Sequence, residues 1–273
     1  MAEGDRLPPG INPRVPSVAR MYDYYLGGRD NFPADREAAE KMIGIGRRMG
    51  NDTRQIALAN RTFLRHAVRT IAEAGVRQFV DIGAGLPTQD NVHQVARRHA
   101  PGSRVVYVDN DPVVLSHARA LLARDPDVIA VEGDVRDPDA IFDDPAVTGR
   151  IDLAEPYAVL LVAVLHFVPD DGEAAGIVAR VKERLPPGGH LVLSHLYTGD
   201  ATADVTDAGR SVYRGTTAGG LAGRDRDQIT GFFGGLALLG PGVVPVADWA
   251  PDASPDGPYD YVRAGILAGV GRA

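Results

Sequence analysis

Phe79-Val80-Asp81-Ile82-Gly83-Ala84-Gly85-Leu86-Pro87 is an apolar strand that ends in an acid and turns at once through two glycines. Glycine lets a backbone turn sharply and approach a ligand where a side chain would collide. The stretch therefore marks a strand of an α/β sheet with a nucleotide-type ligand beyond its carboxyl end. A dinucleotide fingerprint places a third glycine where the next helix meets a pyrophosphate. Here that position is Thr88, preceded by Pro87, which weakens the phosphate reading. S-adenosylmethionine carries no phosphate but an ammonium, a carboxylate, a sulfonium and a ribose, and Asp81 beside the turn suits its positive charge. A strand-loop-helix turn without any ligand uses the same letters.

Two further acids fall where such a site needs them. Arg104 to Asp109 reads as a second strand ending in acid, and a carboxylate there accepts hydrogen bonds from both ribose hydroxyls, with Asn110 beside it. Asp111 and Pro112 open a helix, Asp111 as its N-cap. A third strand, Asp127 to Glu132, runs into Gly133-Asp134-Val135. An acid followed by an apolar residue suits an adenine, with Asp134 accepting from the exocyclic amine and Val135 packing on the ring. The unbroken apolar run Tyr157 to Leu165 fits a central parallel strand buried on both faces. Ligands of open parallel sheets lie beyond the carboxyl ends of the strands, so Ala163 and His166 fall beside the group to be transferred. His166 is the acid/base candidate, since an imidazole takes a proton near neutral pH; hydrogen bonding to backbone or orientation of substrate are its other roles.

Flanking segments complete the plan. Residues 1–16, rich in proline and glycine, read as a flexible leader. Residues 17–76 read as a helical lid: one helix from Ser17 to Gly27-Gly28, one from Asn31 and Pro33 to Arg48, and one opened by the capping-box pattern Asp52-Thr53-Arg54-Gln55. Tyr25, in an aromatic cluster with Tyr22, Tyr24 and Phe32, is an acceptor-side candidate, and the turn at Gly28 with the amide of Asn31 can approach the methionine end of a cofactor. Residues 77–273 hold the sheet. His190 to His195 makes a fifth strand, with His195 a candidate for the acceptor pocket. Thr198 to Gly223 reads as a substrate-side loop or short helix, and Arg224 to Gly234 as a helix. Leu236 to Trp249, interrupted at Pro241-Gly242, and Tyr259 to Val270 supply the sixth and seventh strands, an antiparallel ending that a dinucleotide domain does not require.

On these residues the chain resembles class I S-adenosylmethionine-dependent methyltransferases. It is more closely similar to an actinobacterial S-adenosyl methyltransferase family, whose members carry strings like Tyr22 to Phe32, Gly85 to Gln89, Val106 to Pro112 and Val164 to Asp170. The likeness runs from about Pro16 onward. One departure, Glu132 ahead of Gly133-Asp134, leaves Asp134 in place. The resemblance implies a Rossmann-like, seven-stranded, mostly parallel sheet with helices on both faces, an antiparallel last strand and S-adenosylmethionine as cofactor. It implies no methyl acceptor.

Composition bounds the partners. The chain has 273 residues and a formal charge of −7, which disfavours a broad nucleic-acid footprint and leaves a small-molecule acceptor as the expectation. No apolar run reaches membrane-spanning length and no basic-then-apolar leader appears, so a cytoplasmic location is expected. Cysteine is absent, and no HExxH pattern or calcium loop is present, so no metal is expected. Two other classes fit the same residues: a cofactor-binding regulator without turnover, and a nicotinamide-dependent oxidoreductase. Oligomeric state is not readable from the sequence.

Overall fold

The computed structural model describes residues 11–87, 90–122, 125–249 and 265–273. Three helices lead: α1 (Val18–Tyr25), α2 (Pro33–Arg48) and α3 (Thr53–Glu73). Their starts follow from local chemistry. Asp35 accepts from the Phe32 N–H at 2.7 Å one turn into α2, and Asp52 caps α3 by accepting from the N–H groups of Arg54 (2.9 Å) and Gln55 (3.3 Å).

Strands and helices then alternate: β1 (Gln78–Ile82), α4 (Val92–His99), β2 (Arg104–Asp109), α5 (Pro112–Leu122), β3 (Val128–Glu132), α6 (Pro138–Asp143), α7 (Pro145–Thr148) and β4 (Ala158–Val162). A 3₁₀ turn at Leu165–Phe167 leads to α8 (Asp171–Arg184), β5 (His190–Tyr197), α9 (Ala203–Arg214), α10 (Arg226–Gly231), β6 (Ala237–Leu238), β7 (Val244–Pro245) and β8 (Gly265–Arg272). The sheet order is β3-β2-β1-β4-β5-β8-β6, with β7 also on β8. β1 to β5 are parallel, whereas β8 is antiparallel to β5, β6 and β7.

Period-two alternation sends side chains to two separate cores. Val80, Ile82, Val106 and Val108 pack with α6 and α8 on one face, and Phe79, Val105 and Tyr107 with α3, α4 and Trp249 on the other. Asp81 shares the parity of Phe79, so it points toward α3.

The expected sixth strand is split in two, β6 and β7, which pair with β8 at Gly271 to Arg272 and at Leu267 to Ala268 on either side of Pro241. That residue has no N–H to give a ladder. The sheet therefore counts eight strands in seven positions. The segment 198–223, expected as a loop or short helix, contains the 12-residue α9, which buries Tyr213. The fourth strand stops at Val162 instead of Leu165, because Ala163 adopts φ 56° and turns the chain. The leader up to residue 10, Thr88, Gln89 and the stretch 250–264, including the expected turn and the start of the last strand, lie outside the described residues.

Candidate functional site

β1, β2, β3 and β4 end on one edge of the sheet, so the residues beyond them meet. Gly83, at φ 75°, turns the chain at the end of β1, and its N–H donates to the Val108 carbonyl at 2.8 Å. A Cβ there would lie 2.4 Å from Val164 Cγ2, so any side chain would force Val164 to shift; at Gly85 (φ 67°) it would meet nothing among the described residues. Asp109 holds this turn. One carboxylate oxygen accepts from the Gly85 N–H and the other from the Asp111 N–H, both at 2.9 Å. Each oxygen keeps a further lone pair for a ligand. Asp134 accepts from the Arg136 N–H at 2.9 Å, and Asn110 Nδ2 donates to it at 3.3 Å.

Of the ten residues read as cofactor-binding, eight line one cavity of about 160 Å³: Asp81, Gly83, Gly85, Asp109, Asn110, Asp134, Val135 and Ala163. Gly28 and Asn31 are not brought into it. Asn31 Nδ2 donates to Asp23 at 2.8 Å and to the Gly28 carbonyl at 3.1 Å, and a Cβ on Gly28 would fall 1.9 Å from Asp23 Oδ1. Both residues close the turn between α1 and α2 around the Asp23 carboxylate.

The acids are strained electrostatically. Burial pushes the Asp81 carboxyl up to about 7, against the lowering pull of Arg61 and with a further push from Asp109. Asp109 is pushed up to about 6 by burial, opposed by the N–H groups of Asp111 and Gly85. Such a cluster of desolvated carboxylates favours a cation.

A second cavity, of about 180 Å³, adjoins the first and shares Val18, Tyr22, Ala163 and Phe167 with it. Its walls are mostly apolar, and Tyr25 and His166 line it. Ala163 sits where the two spaces meet; its N–H is held by Ser194 Oγ at 3.0 Å and the Ser194 carbonyl at 3.2 Å. A left-handed alanine is a strained backbone that needs such fixing. His166 is buried, and its Nδ1 accepts from the Leu196 N–H at 3.4 Å. Burial first, then the charges of His195 and Arg224, hold this imidazole well below its ordinary value.

His195 is placed differently. It is fully buried and is not among the described residues lining either cavity. Arg224 donates to its Nε2 at 2.7 Å, so the proton sits on Nδ1 and is given to the Leu196 carbonyl at 2.8 Å. Burial pushes this imidazole down to about 3. Arg224 also donates to the Val168 carbonyl (3.0 Å) and Asp171 (3.0 Å). His195 and Arg224 thus brace the segment that carries His166.

Several lining residues were not legible beforehand. From α3 come Asn60 and Arg61, and from α1 and its N-cap come Val18, Ala19 and Ser17. Asn60 offered a signal, since it interrupts the apolar stripe Ala57, Leu64, Ala67 and Ile71 at helical spacing. α1 is tied across the cavity mouth: Ser17 Oγ hydrogen-bonds Asp111, and Arg20 pairs with buried Asp35 at 2.8 Å. Among the described residues no helix is long and apolar enough to cross a membrane, and no cluster of three metal-ligating side chains is present.

Comparison with known proteins agrees with this geometry. The profile of the S-adenosyl methyltransferase family matches residues 5–273. A solved protein of Thermobifida fusca YX, named as a presumed methyltransferase, is 38% identical with a TM-score of 0.86, over 97% of this chain and 97% of that one. A DUF574 family protein of Streptomyces avermitilis MA-4680 is 39% identical with a TM-score of 0.85, over 94% of this chain and 97% of that one. No curated protein matches the chain significantly.

Proposed function

Because the chain belongs to the S-adenosyl methyltransferase family, we propose that it transfers the methyl group of S-adenosylmethionine to a small molecule seated in the second cavity. The observation that carries this reading is the junction of the two cavities at Ala163, with Val18, Tyr22 and Phe167 as a common wall. The donor set fits the cofactor: Asp109 toward the ribose, Asn110, Asp134 and Val135 toward the adenine, and Asp81 toward the cationic end. When bound, the cofactor supplies a methyl on a sulfonium, which moves as an acceptor lone pair bonds to carbon and the C–S electrons return to sulfur, leaving S-adenosylhomocysteine. The chain's own task is to align acceptor and cofactor and to exclude water. The net charge of −7 and the apolar walls support a small molecule over a nucleic acid.

Calorimetry with S-adenosylmethionine, S-adenosylhomocysteine and NAD tests the reading. Tight binding of the two S-adenosyl ligands and none of NAD is the expected result; preference for NAD would overturn it. Binding that persists while no compound of a broad acceptor panel is methylated would favour a regulator over an enzyme.

The raised carboxyls give the binding a pH dependence. Their folded values, about 7 and about 6, lie above the unfolded value. Between about pH 4 and pH 7 the folded chain therefore holds protons that the unfolded chain has lost, and these groups make the free protein less stable as pH rises. A cationic ligand has the opposite preference, for ionised carboxylates. Affinity for S-adenosylmethionine is expected to rise about tenfold from pH 5.5 to pH 7.5, and a flat calorimetric profile would show that Asp81 does not face the cation.

A further inference from the structure

The second cavity is selective in a way its walls define. Tyr25, Met42, Ile56, Phe167, Tyr213 and Leu221 supply apolar and aromatic surface, with the Phe167 and Tyr213 rings 5.3 Å apart. No acidic side chain lines it among the described residues, and its one arginine, Arg210, is exposed at the surface. A buried charge without a partner is costly, so both cationic and anionic acceptors are disfavoured deep inside. The tautomer of His166 narrows the class further. Since the Leu196 N–H donates to Nδ1, the ring proton of the neutral imidazole sits on Nε2, which has no partner among the described residues. His166 therefore offers a hydrogen-bond donor, not a base. A neutral amine has one lone pair and cannot both accept from this N–H and attack a methyl carbon. A hydroxyl oxygen has two.

Resting on the methyl-transfer reading, we infer that the acceptor is an uncharged, aromatic hydroxyl compound whose oxygen accepts from His166 Nε2–H. Its second lone pair forms the new C–O bond, the S–C pair goes to sulfur, and the hydroxyl proton passes to water. Gly209 provides a control. It lies on α9 in the cavity wall, and a Cβ there would touch Met42 and Leu221 only at 3.7 and 3.8 Å. A Gly209→Leu side chain thus starts from an ordinary van der Waals contact and adds bulk to the cavity wall.

The test measures binding of 2-naphthol, 6-hydroxy-2-naphthoate and 2-aminonaphthalene to the protein loaded with S-adenosylhomocysteine. The expected order places 2-naphthol at least about tenfold ahead of 6-hydroxy-2-naphthoate, and with S-adenosylmethionine in place of S-adenosylhomocysteine 2-naphthol is methylated whereas 2-aminonaphthalene is not. Gly209→Leu should abolish 2-naphthol binding, and His166→Phe should weaken it about tenfold, both with unchanged S-adenosylhomocysteine affinity. Absence of 2-naphthol binding, equal binding of the carboxylate, methylation of the amine, or indifference to Gly209→Leu overturns the inference. Failure to load S-adenosylhomocysteine at all would instead overturn the reading on which it rests.

An independent observation concerns Asn60. The Tyr22 hydroxyl gives its single proton to the Ala57 carbonyl at 3.1 Å, so it must accept from Asn60 Nδ2, 3.0 Å away. This fixes the amide orientation. Asn60 Oδ1 is then left buried without a hydrogen-bond partner among the described residues, in a residue that lines the first cavity with Asp81 and is 1% exposed. An unmade buried hydrogen bond is expensive, and a ligand donor repays it. We propose that Asn60 Oδ1 receives the ammonium of the cofactor's amino-acid end. 5′-Methylthioadenosine, which lacks that end, separates this role from a structural one. Asn60→Leu is expected to weaken S-adenosylhomocysteine binding tenfold to a hundredfold, on the order of one charged hydrogen bond. 5′-Methylthioadenosine binding should hold within about threefold, and Asn60→Asp should retain S-adenosylhomocysteine. Equal losses for both ligands, or no loss for either, overturn the assignment.

Discussion

An Asp109→Ala chain is expected to bind S-adenosylhomocysteine at least about a hundredfold more weakly than the native one. Two hydrogen bonds from ribose hydroxyls to a carboxylate would go, each worth roughly 1.5–3 kcal/mol for a charged acceptor. The turn would loosen as well, because the same carboxylate fixes the N–H groups of Gly85 and Asp111. Asp109→Asn should recover only part of the affinity, since its amide nitrogen would face one of those N–H donors. Calorimetry on variants with a native thermal transition measures both, and undiminished affinity in folded Asp109→Ala would remove this residue from the site.

Gly83→Ala, just beyond β1, should be strongly destabilising for a single added methyl. The left-handed backbone costs alanine about 1–2 kcal/mol, and overpacking against the Val164 side chain adds about 1–3 kcal/mol. At roughly 2–4 °C per kcal/mol for a chain of this size, the melting temperature should fall by about 10 °C. Cofactor affinity should fall with it, because Val164 follows Ala163 at the meeting of the cavities. Gly85→Ala separates the two effects. Its Cβ meets nothing among the described residues, so it bears the backbone cost alone and should lose less stability. A Gly83→Ala/Val164→Ala double variant should regain part of the lost melting temperature; a double variant no better than Gly83→Ala would show that the collision with Val164 is not the cause.

What the sequence disclosed, and what it withheld, follows from the range of the interactions. Asp81, Gly83, Gly85, Asp109, Asp134 and Ala163 were legible because parallel strands in register must bring their ends together, so strand ends alone predict who meets. Gly28 and Asn31 look equally suited to a ligand as letters, but they are consumed by Asp23, a partner that no local pattern announces. His195 stands at a strand end, yet its ring turns to Arg224, which arrives 29 residues later. α9 was obscure because its sequence is small and polar; Tyr213 gains its place from residues of other elements, among them Phe167 and Tyr25. Asn60 could have been singled out as a polar interruption of an apolar stripe, although only the hydrogen bonds of Tyr22 reveal which of its atoms is left over.

α1 is a wall of both cavities through Val18 and Tyr22, and it is anchored on the site by Ser17 and Arg20. Whatever occupies either space presses on the same eight residues. Each ligand packs on a wall that the other also uses, so the two affinities should be linked, and by the same factor in either direction. Acceptor and cofactor should assist one another's binding, and the size of that mutual assistance is a thermodynamic readout of how firmly α1 couples the two spaces.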